Sequence, residues 1–288
     1  FERYELISKS GQTIDFAPEP SYKIGPYIGW QWIFLGYTVD FTHLRGSDNR
    51  QDFDLSLYSN QIGVDLFYRK TGDNYKIRSM HLGNDIDTRA REGVNFDGSK
   101  ASVKGFNLYY IFNHKKFSYP AAYSQSTIQR RSAGSPLVGI GYTKHSIDID
   151  WNKLQRLAED KLGTEIATTK IDAALMFDKA EFLDYSISGG YAYNWVFARN
   201  WLFDASLSLA MSYKRAKADV ANSGTFFRDF DFKNINLDGV ARFGLVWYNM
   251  RWYYGASAIF HTYNYKKKQF RTNTIFGSVN VYIGFNFW

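Results

Sequence analysis

The chain has 288 residues, 19% of them aromatic, a formal net charge of +7 and a mean hydropathy of −0.39. That length suits one large β domain or two ordinary ones. With no cysteine there is neither a disulfide framework nor a thiolate metal site, and no run approaches the roughly 18 apolar residues of a membrane helix.

The longest apolar run, 32–39, already contains Gly36 and Thr38. No secretory signal is recognisable. A chain that starts at Phe1 rather than Met reads as a processed or trimmed form, so this does not argue for the cytoplasm.

Period-2 alternation recurs from end to end, the mark of strands with one apolar face. One strand is expected within 3–16 and another near 22–31. Leu35, Tyr37, Val39 and Phe41 then alternate with Gly36, Thr38, Asp40 and Thr42. Phe53, Leu55 and Leu57 alternate with Asp52, Asp54 and Ser56, and Ile62, Val64, Leu66 and Tyr68 with Gly63, Asp65, Phe67 and Arg69. After a strand near 136–147 comes the one helix expected, 151–162, with Leu154, Leu157, Ala158 and Leu162 on one face. Long alternating segments follow: Tyr185 to Phe197, Trp201 to Tyr213, Leu237 to Trp247, Trp252 to Phe260, and the terminal set Val279, Val281, Ile283, Phe285 and Phe287.

These segments match the roughly 9–11 residues that cross a bilayer at a tilt, with rings at both ends of the apolar face. Short turns at 31–32, 58–61, 113–116, 198–200 and 248–250 alternate with longer charged connections at 43–51, 69–100, 214–235 and 265–271. That asymmetry describes a transmembrane antiparallel up-and-down β-barrel of the outer membrane, spanning 1–288 as a single domain, with the turns and both termini periplasmic. Taking 136–147 and 185–198 as both running inward requires an outward strand between them, fitted at 165–177. The total is then fourteen strands, with twelve as the alternative, and the helix caps the periplasmic side.

The stretch "FNHKKFSYPAAYSQSTIQRRSAGSPLVGIGY" (112–142) resembles a family of Bacteroidota outer-membrane proteins known as domain of unknown function 4421. The shared features are an asparagine–lysine turn, Phe-Ser-Tyr, and the run Gln129, Arg130, Arg131, Ser132, Ala133, Gly134 and Ser135. "GGYAYNWVF" (189–197) and "PEPSYKIGPYIGW" (18–30) are also similar to it. Pro120 departs from the pattern and is expected to weaken a strand there. The resemblance implies an outer-membrane barrel and brings no catalytic residue.

The inward faces carry Asp40, Asp54, Asp65, Lys104, Asp204, Asp238, Arg242 and His261. They read either as an ion path or acid/base site, or as groups that pair with one another and with water to fill the lumen; the second is preferred. Among His43, His81, His114, His145 and His261 none has metal-ligand spacing, and no metal or cofactor is expected. The "DID" runs at 85–87 and 148–150 are weak Ca²⁺ candidates, with Asp85 and Asp87 the better pair. A hydrolase lacks support: no Gly-x-Ser-x-Gly elbow occurs, and neighbours such as His145 and Ser146 point to opposite faces of a strand. Arg130 and Arg131, and Lys266, Lys267 and Lys268, form basic patches that on the outer face would meet lipopolysaccharide or an acidic partner; for the lysines a solvated loop is the preferred reading, and one of the two arginines is expected to tuck inward onto a lumen acid.

Rings that recur at strand ends, rather than in one patch, argue against a nucleic-acid binder. The expected partners are outer-membrane lipid, lipopolysaccharide and a protein of an outer-membrane complex. The expected role is a non-enzymatic accessory or structural subunit, ahead of a passive small-solute channel and a lipid-modifying hydrolase. The terminal strand, with Phe287 and Trp288 at its tip, is expected to seal the cylinder against the first strand. A terminal aromatic strand also resembles the signal by which such barrels are recognised for insertion.

Overall fold

The computed structural model describes residues 2–18, 22–30, 33–36, 39–40, 51–70, 75–81, 94–162, 179–216, 235–266 and 270–286. The first part of the chain supplies β1 (Glu2–Ser8), β2 (Thr13–Pro18), β3 (Lys23–Ile24), β4 (Tyr27–Trp30), β5 (Ile33–Gly36) and β6 (Val39–Asp40). Next come β7 (Gln51–Tyr58), β8 (Ile62–Lys70), β9 (Tyr75–His81), β10 (Val94–Phe96) and β11 (Ser99–Ile111). The helix α1 (Tyr119–Tyr123) precedes β12 (Ala133–Ile149), and α2 (Trp151–Leu162) follows it. The long strands β13 (Lys179–Ala198), β14 (Trp201–Ala216), β15 (Ile235–Tyr248), β16 (Trp252–Lys266) and β17 (Phe270–Phe285) complete the chain.

Thirteen strands form one antiparallel sheet in the order β10-β9-β2-β1-β17-β16-β15-β14-β13-β12-β11-β8-β7, and β3-β6 and β4-β5 form two small pairs. Contacts across the sheet show that it curls. β8 and β17 lie seven places apart in that order, roughly 34 Å along a flat sheet at about 4.8 Å per strand. Yet the Arg69 guanidinium lies 4.9 Å from the centre of the Phe276 ring. The inner faces of the two strands therefore meet across a narrow lumen.

The two faces are inverted relative to a water-soluble protein. On β13 and β14 the outward set includes Ile187, Tyr191, Leu207, Leu209 and Met211, all exposed, while Asp184, Asn194, Asp204, Ser206 and Lys214 point inward and are buried. On β17 Val281 is 85% exposed and Ile283 75%. Aromatic residues border this aliphatic belt. Near the short turns Trp247 stacks on Tyr254 at 4.9 Å and Trp252 meets Phe285 at 4.9 Å; toward the other end Tyr142 meets Tyr185 at 5.3 Å. Ten residues separate Tyr185 from Trp195; at about 3.3 Å per residue and a tilt of about 40°, the belt stands roughly 25 Å tall.

Several expectations need correction. The segment near 136–147 does not run parallel to 185–198: β12 pairs directly and antiparallel with β13, Ala133 opposite Asn194 and Asp148 opposite Lys179. Nothing in the sheet lies between them, so the count of fourteen loses its argument; residues 165–177 lie outside the described residues. The same direction moves α2 to the end opposite the short turns. There Trp151 and Leu154 pack with Tyr4, Leu6, Ile14, Phe16, Tyr75 and Phe96 in a closed apolar core. Asp150, from the second "DID" run, accepts from the Lys153 backbone N at 2.9 Å and caps α2; Asp85 and Asp87 lie outside the described residues.

The N-terminal stretch holds two strands rather than one, β1 and β2, turning at Gly11 with φ +90°. The connection expected at 69–100 contains β9 and β10, which leave the up-and-down order: β9 pairs with β2, and β10 pairs with β9. There are two helices rather than one among the described residues. Finally, β1 pairs with β17 only from Phe270 to Phe276, so it does not reach Val279, Val281, Ile283 or Phe285. Glu2 lies opposite Phe276 whereas Phe285 lies opposite Trp252 at the turn end, so the first and last described strands do not end at one level. Phe287 and Trp288 lie outside the described residues.

Candidate functional site

The lumen is occupied from the turn end. After β11 the chain turns at 113–116 and then folds back against the inner face of the curled sheet, burying Phe117, Tyr119, Pro120, Ala121, Ala122, Ser124 and Gln125. Pro120 sits in the first turn of α1 instead of in a strand, where its missing N–H costs nothing, and Ser118 caps the helix by accepting from the Ala121 backbone N at 3.3 Å.

The plug is tied to strands on all sides. Tyr119 Oη and Ser206 Oγ on β14 are 2.7 Å apart. Tyr123 Oη donates to Asp204 Oδ2 at 2.6 Å, Gln125 Nε2 donates to Tyr282 Oη on β17 at 3.0 Å, and Asn194 Nδ2 on β13 donates to the Ser118 carbonyl at 2.9 Å. The Tyr119 ring also lies 6.0 Å from that of Tyr58 on β7 and 5.8 Å from that of Tyr109 on β11. Gly244 on β15 faces the plug closely: a Cβ there would stand in van der Waals contact with the Tyr123 ring at 3.4 Å, leaving no space for a larger side chain.

Above the plug lie two buried charge groups. In the first, Arg242 Nη2 bonds Asp65 Oδ2 at 2.6 Å, Ser56 Oγ donates to Asp65 Oδ1 at 2.8 Å, and the guanidinium covers the Tyr109 ring at 5.2 Å. That ring lies across Gly63, its partner on β8, where any Cβ would fall 2.2 Å from it. In the second, fully buried Lys214 Nζ reaches Asp238 Oδ1 at 3.0 Å and Asp184 Oδ2 at 3.4 Å and donates to the Asn264 carbonyl at 2.6 Å. Two acidic side chains thus share one ammonium beside His145, which stacks on Phe182 at 4.5 Å, and Tyr263, whose ring lies 5.4 Å from Lys214 Nζ. Desolvated charges of this kind persist only when paired.

Of the expected lumen residues, Asp65, Asp204, Asp238 and Arg242 are buried on the inner face, and His261 stacks there on Phe276 at 4.8 Å. Lys104 is not in the lumen. The inward set on β11 is Ala101, Val103, Tyr109 and Ile111, so Lys104 shares the exposed face with Phe106 and Leu108. The side chains of Asp40 and Asp54 lie outside the described residues. Gln129 joins the plug, accepting from Asn194 Nδ2 at 2.7 Å, and Ser132 Oγ accepts from the Val196 backbone N at 3.0 Å. Ala133, Gly134 and Ser135 open β12. Neither Arg130 nor Arg131 tucks inward; both are exposed, and the arginine that pairs with a lumen acid is Arg242. They lie at the turn end, opposite the end where β16 finishes at Lys266; Lys267 and Lys268 lie outside the described residues.

Lys214, Asp184 and the plug tyrosines were not foreseen. One further step of the alternation Asp204, Ser206, Ser208, Ser212 reaches Lys214, and the Ser-x-Pro start of α1 is a readable helix signal.

These features define an antiparallel β protein of barrel-like form, aliphatic outside and filled with paired charges and an internal plug. The chain belongs to the family described as domain of unknown function (DUF4421), whose model matches residues 1–287. It is similar in structure to the outer-membrane expressed OmpT of Vibrio cholerae, at 9% identity and a TM-score of 0.30 over 94% of this chain, and spans 65% of that chain's length. The in-vitro folded form of the same protein gives 9% identity, a TM-score of 0.27 and coverage of 94% and 64%. No match was found among curated proteins.

Proposed function

We propose that the chain is an integral outer-membrane β-barrel with a permanently filled lumen, working as a non-enzymatic accessory or structural subunit that holds a protein partner through its wall or loops. The observation that carries this is the inversion of its faces: an aliphatic belt of lipid-spanning height outside, and paired charges packed around α1 inside. Exposed apolar surface on this scale is rare on a soluble monomer. Among the described residues no helix is long and apolar enough to cross a membrane; strands would do the crossing, and closure would satisfy their edges. The short turns face the periplasm, as in such barrels generally. Lipid covers the belt, and lipopolysaccharide meets the mixed-charge opposite end. The plug favours the structural role over a channel.

Four measurements test it. The folded protein should migrate differently on a gel before and after boiling, and a soluble-fraction protein without that shift ends the membrane reading. It should be silent in a planar bilayer; steady conductance would make it a channel. Purified from native membranes in mild detergent, it should bring a stoichiometric protein with it. A lone monomer, or phospholipid hydrolysis lost on Ser or His replacement, would defeat the accessory role.

A further inference from the structure

The turn end carries a charge pattern that the plug does not explain. Lys115 and Lys116 follow β11, Arg130 and Arg131 precede β12, Arg199 joins β13 to β14, and Arg251 joins β15 to β16; all six are exposed. The strand ends and turns at this end, 111–137, 191–203, 244–257 and 280–286, contain no Asp or Glu. Among the described residues none of the six makes an ion pair. The opposite end mixes its signs: Arg3 bonds Asp15 at 2.7 Å, Lys153 bonds Asp97 at 2.6 Å, and Lys144 lies 3.9 Å from Glu181.

The cations also stand beside the rings. Arg199 lies between Phe197 and Trp201, whose rings are 6.0 Å apart. Arg251 adjoins Trp252, and the Arg251 carbonyl accepts from the Asn286 backbone N at 2.8 Å. Phe112, packed on Tyr110 at 5.2 Å, precedes Lys115. Tryptophan and tyrosine settle at the headgroup level of a bilayer, so cations a residue or two beyond them reach the phosphates.

Resting on the membrane reading above, we propose that the turn end is a collar for anionic phospholipid, its six cations taking the phosphodiesters of the leaflet on that side. Arginine forks pair phosphate oxygens in bidentate fashion, and the lysines add point charges. An acidic protein would match the charge but would have no use for the adjoining rings, which is why lipid is favoured.

The test uses the full chain reconstituted in phosphatidylcholine vesicles containing brominated phosphatidylglycerol or brominated phosphatidylcholine, read by tryptophan quenching. Trp195, Trp201, Trp247 and Trp252, four of the eight tryptophans, lie at this end and weight the signal toward it. The wild type should be quenched preferentially by brominated phosphatidylglycerol, several-fold in relative binding constant, and high salt should reduce the preference. The variant K115Q/K116Q/R130Q/R131Q/R199Q/R251Q should lose it while keeping the gel shift on boiling, whereas K144Q/K153Q, which removes charge from the other end, should keep it. A wild-type ratio near one, or a six-fold variant that retains the preference, overturns the collar alone. A chain that does not insert defeats the membrane reading and the collar with it.

Discussion

Arg242 on β15 and Asp65 on β8 bond at 2.6 Å across the lumen, although five strand-to-strand steps separate them in the sheet. A flat sheet would hold their strands roughly 24 Å apart. The pair therefore measures the curl directly, and it does so between residues 177 apart in sequence. Tyr109, covering Gly63 on one side and the guanidinium on the other, fixes the height at which the two strands face.

Because the pair is buried, losing one partner is worse than losing both. Arg242→Met should lower stability by about 3–5 kcal/mol, since Asp65 is left charged and desolvated. Adding Asp65→Leu should recover much of that loss. Urea unfolding from lipid, analysed as a double-mutant cycle, checks it, and strictly additive losses would show that the two side chains do not act as a unit.

One of the ties that hold the plug is a tyrosine hydroxyl. Tyr123 donates to Asp204, whose other oxygen Oδ1 has no hydrogen-bond partner among the described residues. Tyr123→Phe strands a buried carboxylate at a cost of about 1–3 kcal/mol and should produce brief openings in a planar bilayer where the wild type is silent. Gly244→Leu should do the same by crowding Tyr123. A variant as silent as wild type would mean that the rings alone hold α1.

Much of the wall was legible before any coordinates. Alternation on β13, β14 and β15 sorts Ile187, Leu207 and Leu237 outward and Asp204, Asp238 and Arg242 inward, because a strand has only two faces and a period of two. The limits of the argument are equally physical. Alternation does not give direction: 136–147 reads the same inward or outward, and only its pairing with β13 decides. Phase can also be misjudged: Lys104 sits in the middle of β11 on the parity of Phe106 and Leu108, so its charge alone did not show which face it takes, and Lys214 and Asp184 lie just past where the pattern seemed to stop. The plug is short and aperiodic, so its burial follows from the hole it fills and not from its own sequence.

The turn before β11 offers a pH test outside the wall. Lys153 on α2 donates to Asp97 at 2.6 Å, and this bond holds the Asp97 carboxyl below its ordinary value. A depressed carboxylate contributes stability above its unfolded value and loses it as pH falls through the folded one. The pair is largely exposed, so the contribution is small and salt-sensitive. Lys153→Gln should move the Asp97 titration upward, followed by carboxyl NMR, with little change at neutral pH. An unmoved titration would show that the bond is not populated in solution.

The belt makes the sharpest distinction between lipid and water outside the protein. Ile187 is 68% exposed near the middle of β13, and Leu207 is 58% exposed on the neighbouring strand. In water, Ile187→Arg on such a surface should be neutral or should improve solubility. In lipid it places a charge near the bilayer midplane and should cost about 2–4 kcal/mol, while the same change at Trp195, on the edge of the belt, should lose far less of the charge term. Leu207→Arg should behave like Ile187→Arg. Refolding yield and unfolding midpoint in phospholipid vesicles give the comparison. A depth-dependent penalty identifies the bilayer as the solvent of this face; equal, small effects at all three positions would identify water.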